Sequence, residues 1–120
     1  MRAIELAALL LLASGEALAC GYCVEDKIAA TYDHAVVTHA LARKHVVVFM
    51  QVDGAVPSRH ALQRAVYSVP AVDRGTARVS ADLLTVSFAF DPARTGFGAL
   101  HARLEKRLGV ALMPLQVMEH

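Results

Sequence analysis

The residues best equipped for chemistry in this chain are its two cysteines, which stand together as Cys20-Gly21-Tyr22-Cys23. Two sulfurs at this spacing can chelate one metal ion or close a small disulfide. Thiolates favour soft and borderline ions, so the metal reading is copper(I) or zinc. A helix is expected to begin at Val24. That places Cys23 at its N-terminus, where free amides and the helix dipole favour the thiolate. His60 supplies a third ligand if the segment bearing the cysteines folds back toward it. His34 lies eleven residues after Cys23, on the same helical face but about three turns away, too far to share an ion. The same Cys spacing serves thiol-disulfide exchange, where the pair normally follows a strand; no strand is expected ahead of Cys20. An inert disulfide is the third reading, and so short a loop adds little stability by the chain-entropy argument.

The remaining polar residues offer less. His39 and His45 fall at a helix end and a strand start, His101 flanks an apolar stripe, and His120 is the final residue of a Met118-Glu119-His120 tail. Met50 and Met113 sit in strand-like runs, where methionine fills core gaps. No Ser/His/Asp set, paired carboxylates or phosphate-cradling glycine loop stands out, so the expectation is a binding protein and not an enzyme. Lys+Arg total 12 against Asp+Glu 11, a net charge of +1 with no basic run, which gives nucleic acid no electrostatic footprint. Aromatics are 6% with no Trp, which argues against a stacking platform for bases or sugars.

The first 19 residues, MRAIELAALLLLASGEALA, read as a secretory signal peptide. Arg2 is a short basic start, Ala7 to Ala13 an unbroken apolar stretch, and Ala17-Leu18-Ala19 a small-x-small cleavage site. Cleavage there makes Cys20 the first residue of an exported, periplasmic protein. Cysteine directly after a signal also occurs in lipoproteins, which favour Leu where this chain has Ala17. A lipidated Cys20 could be neither a metal ligand nor half of a disulfide.

These residues need elements to hold them. Hydrophobic residues make up 56% of 120, enough for one domain with a real core and incompatible with a disordered chain. Residues 24–44 contain no Gly or Pro, and Val24, Ile28, Tyr32, Ala35, Val36 and Leu41 recur at helical spacing. A single helix is expected, about 32 Å long at 1.5 Å per residue. His45 to Val52 is β-branched and apolar on both faces, as a central strand should be. Ser58 caps a helix whose buried side is Ala61, Leu62, Ala65, Val66 and Val69. A short strand at 76–80 and an alternating one at 84–90, with Leu84, Val86, Phe88 and Phe90 inward, form a hairpin. Thr95 is the expected cap of a second helix with stripe Phe97, Leu100, Leu104 and Leu108, ended by Gly109. Ala111 to Met118 is a last strand, and its Pro114 belongs on a sheet edge.

From His45 onward the order is β-α-β-β-α-β. The expected fold is therefore α+β, a ferredoxin-like βαββαβ sandwich with strand order 4-1-3-2 and an additional N-terminal helix. Its parts are the signal peptide 1–19, the Cys-bearing arm and helix 20–44, and the domain 45–120. Val47 and Phe49 point away from Val46, Val48 and Met50, so both sheet faces need a cover. Helix 24–44 is one candidate for the second face, and a homodimer interface is the other.

Residues 46–118 resemble a heavy-metal-associated domain, the small copper-chaperone fold. That family carries Gly-Met-x-Cys-x-x-Cys between its first strand and first helix. This chain has Gly54-Ala55-Val56-Pro57-Ser58-Arg59-His60 there, keeping the glycine and replacing both thiols, the second by His60. The stretch Val66-Tyr67-Ser68-Val69-Pro70-Ala71-Val72 is similar to the family's turn ending in Pro-Gly-Val. The resemblance implies the fold and a role in copper handling with a copper-transport or redox protein as partner. Here the sulfur ligands would have to come from Cys20 and Cys23.

Overall fold

The computed structural model describes residues 23–120. The signal segment 1–19 and Cys20 lie outside the described residues. The elements run α1 Val24–Ala29, α2 His34–Ala42, β1 Val46–Asp53, α3 Arg59–Tyr67, β2 Arg78–Val79, β3 Thr85–Phe90, α4 Phe97–Leu108 and β4 Ala111–Met118. The sheet order is β2-β3-β1-β4 with every neighbouring pair antiparallel. This is the expected α+β ferredoxin-like arrangement. β1 is central and Pro114 lies on the β4 edge, opposite Met50 and next to a bulge in the β1–β4 register.

The period-2 alternation of β1 divides the core in two. Val46, Val48, Met50 and Val52 join Val86, Phe88 and Phe90 of β3 beneath Leu62 and Val66 of α3 and Leu100 and Leu104 of α4. On the opposite face Val47, Phe49 and Ala89 pack under Val37 and Ala40 of α2, with Ile28 of α1 at the margin. Phe49 is 1% exposed. The N-terminal helices therefore cover the second face, and the sheet is sandwiched between two helical layers.

The N-terminal cover is two helices, not the single helix expected over 24–44. The apolar spacing runs unbroken, but Asp33 has a better use than helix interior. Its Oδ1 accepts from the amides of Ala35 at 3.0 Å and Val36 at 3.3 Å, so it caps α2, and a carboxylate at this position is among the strongest N-caps. Its Oδ2 accepts from Arg78 Nε at 3.1 Å and lies 3.0 Å from Nη2, which ties the break to β2. Thr31 supplies its carbonyl to Ser87 Oγ at 3.1 Å instead of to the next helical turn.

Three smaller expectations also change. Leu84 is 51% exposed, because the strand begins only at Thr85. Leu83, at φ 63 in the turn, packs on the core in its place. The N-cap of α4 is Gly96, without a side-chain bond, and not Thr95. The strand at 76–80 shrinks to Arg78–Val79. Ser58 does cap α3, accepting from Ala61 N–H at 3.0 Å, and Gly109 ends α4 at φ 72.

Candidate functional site

Cys23 occupies the N-cap position of α1, with its carbonyl accepting from the amides of Asp26 and Lys27. Its thiol is half-buried, bonded to no other sulfur among the described residues, and its Sγ lies 3.9 Å from Asp26 Oδ2. Its neighbour in the motif, Cys20, lies outside the described residues. α1 is held at the end of β1 from which the next loop departs. The ammonium of Lys27 donates to Gln51 Oε1 at 2.7 Å, and Asp26, Lys27 and Ala30 share one cleft with Asp53 and Gly54.

That loop, residues 54–58, is shaped by Gly54. Its φ is +143, and a Cβ built there would stand 2.7 Å from Val110 Cγ1, so only glycine lets the chain turn this close to the start of β4. Ser58 then starts α3, and His60, the second residue of α3, is exposed to solvent. The geometry thus brings the helix of Cys23 and the loop leading to His60 to the same end of the sheet. Among the described residues no three His, Cys, Asp or Glu side chains gather where they could hold a metal ion; any set that includes Cys20 extends beyond them.

Three of the other histidines, His34, His45 and His101, have structural partners. His34 Nδ1 lies 3.3 Å from the Tyr32 hydroxyl and its Nε2 3.4 Å from Thr38 Oγ1. His101 donates from Nε2 to the Leu112 carbonyl at 2.6 Å and stacks on Phe97. Sequence position marks His45 only as a strand start, yet its Nδ1 donates to Asp73 Oδ2 at 2.7 Å while its Nε2 lies 3.9 Å from Asp91 Oδ2. These two carboxylates flank the ends of the 73–91 segment, so the imidazole pins that hairpin region to the start of β1. Met50 is fully buried and out of reach of any ion at the surface.

The cleft beside α1 is the part of this region that sequence spacing did not point to. It measures about 450 Å³ and is lined by Asp26, Lys27 and Ala30, by Gln51 to Gly54, and by Asp82, Leu84 and Thr85 of the β2–β3 hairpin. The Asp82 carboxyl is held below its usual 3.8 first by the Ser80 hydroxyl, which donates to it at 2.6 Å, and then by the Leu84 amide at 3.1 Å. Gln51 and Thr85 are register partners on one sheet face, but 34 residues of chain separate them, and only the strand pairing brings them together. No family model, curated protein or solved structure matches the chain.

Proposed function

We propose that this is an exported copper(I)-binding protein that holds its ion through Cys20 and Cys23, with His60 as a third ligand, and passes it to a copper-transport or redox partner. What supports the reading is the docking of α1. The Lys27–Gln51 hydrogen bond of 2.7 Å anchors the helix behind Cys23 at the loop end of the sheet, the end where the similar domains of the heavy-metal-associated family carry their ligands. An exposed imidazole there and two sulfurs arriving from the N-terminal side make an S₂N donor set, which suits copper(I) better than a harder ion. Zinc would satisfy the same donors only with a fourth ligand.

The test is a copper(I) titration of the reduced protein against a chromophoric chelator. One ion per chain is expected. The double variant Cys20→Ser, Cys23→Ser should lose it, and His60→Ala should weaken it by about tenfold, or 1.4 kcal/mol. A double variant that binds as tightly as the parent would end the proposal. A pair that takes no copper but exchanges disulfides rapidly would replace it with a thiol-exchange role.

A further inference from the structure

α3 and α4 cover the same face of the sheet and share its larger core. Their outer sides carry Arg59 and Arg64 on α3 and Arg103, Lys106 and Arg107 on α4, all exposed, and exposed Arg94 joins them from the loop ahead of α4. No carboxylate occurs between Gly54 and Pro70, and between Pro92 and Val110 there is only Glu105. Glu105 is engaged in the fold, accepting from the Leu112 amide at 2.7 Å. Among the described residues, none of the basic side chains on this face forms an ion pair. Packing brings them together across the two helices. Arg64 and Arg107 line one groove between α3 and α4, and Arg94 and Arg103 line another at Val69-Pro70, where the chain leaves α3. Arg94 donates from Nη1 to the Pro70 carbonyl at 2.8 Å, which fixes its position and leaves its charge uncompensated. No basic run in the sequence announces this face, because its cations come from two helices far apart in the chain.

We propose that the α3–α4 face docks on an anionic phospholipid bilayer, held by charge and without insertion. A protein partner would need apolar or aromatic anchors at the centre of the contact. The large apolar side chains that are exposed, Val24, Tyr32, Leu84, Met113 and Val117, all lie off α3 and α4. The exposed positions that accompany the cations on α4 are the small Gly98, Ala99 and Ala102. Single-stranded nucleic acid is bound on aromatic platforms, but the rings of these helices are already in use: the Tyr67 hydroxyl accepts from the Ala77 amide, and Phe97 stacks on His101. What the face offers is attraction for a broad surface of fixed negative charge, as an anionic leaflet supplies. The opposite layer gives the docking a direction, since α1 exposes Glu25 and Asp26, which such a leaflet repels. The α1 side, with Cys23, then faces away from lipid. The inference does not rest on copper binding.

Co-sedimentation of the full chain with phosphatidylglycerol vesicles and with phosphatidylcholine vesicles tests it, and the ratio of the two affinities is the readout. The apolar stretch Ala7–Ala13 acts on both vesicles alike and cancels in that ratio. The anionic vesicle should be bound at least about tenfold more tightly. That preference should vanish at about 1 M salt, where charges are screened within about 3 Å. Arg64→Gln combined with Arg107→Gln keeps good helix formers and should weaken binding to phosphatidylglycerol by about fivefold for each arginine. Glu25→Gln, on the opposite layer, should not weaken it. Equal affinity for the two vesicles, a preference that survives high salt, an unchanged affinity in the double variant, or tighter binding to a DNA duplex than to phosphatidylglycerol would overturn the inference.

Discussion

Lys44 is the residue whose backbone conformation fits its identity least. It follows α2 at φ 61. Its amide donates to the Leu41 carbonyl at 3.0 Å, and the next amide, His45, reaches back to Ala40 at 2.8 Å. This paired pattern is the Schellman ending, which normally has glycine at the left-handed position. Lys44→Gly should therefore raise stability by about 0.5–1 kcal/mol, read as a higher urea midpoint at unchanged slope. Gly54 is the opposite case. Gly54→Ala drives a Cβ into Val110 at a φ of +143 and should cost about 2–4 kcal/mol in the same experiment. Asp33 gives a pH signature. The Val36 amide and then the Arg78 side chain hold its carboxyl below 3.8. Its stabilising contribution is complete above the ordinary carboxylate range and fades as pH falls through the lowered folded value. As pH falls below the ordinary carboxylate range, wild type should lose stability more steeply than Asp33→Asn, as measured by denaturant unfolding at a series of acidic pH values.

At the scale of elements, the strands announced themselves and the helix break did not. HVVVFMQV is apolar on both faces, which only a central strand covered on both sides can use, and Pro114 demands an edge; both constraints point to the same topology. Residues 24–44 kept one apolar face across Thr31-Tyr32-Asp33, so periodicity alone could not find the gap. The signal was Asp33, a strong N-cap in mid-run, and its weight depends on Arg78, 45 residues away. The candidate site divides in the same manner. Cys20, Cys23 and His60 could be picked out by residue type and spacing. The cleft could not, because Lys27, Gln51 and Thr85 meet only through tertiary packing and strand register, which local patterns do not encode. Phe49 tests the element that was expected to cover the second face. Phe49→Ala removes the central side chain between the sheet and the α1–α2 layer and should cost about 3–5 kcal/mol. Amide exchange in α1 and α2 should quicken more than in α3 and α4.

For the whole molecule, the two ends of the sheet have different jobs. At the end where β1 starts, His45 binds Asp73 and closes the structure. At the end where β1 finishes, the chain leaves polar groups exposed, Asp26, Asp53, Asp82 and His60, beside the half-buried thiol of Cys23. The long sides of the sheet have a further consequence. One edge, β2, has two residues, and the other, β4, is interrupted at its middle by Pro114 and a register shift. A second chain adding to either edge would find too few consecutive donors and acceptors to form a ladder. Met113 and Val117 are exposed along β4, yet the irregular backbone denies them a template for cross-β growth. The molecule thus carries its own barrier to fibre formation, and Pro114→Val should lower it, giving a measurable rise in light scattering and amyloid-dye binding on prolonged incubation at high concentration.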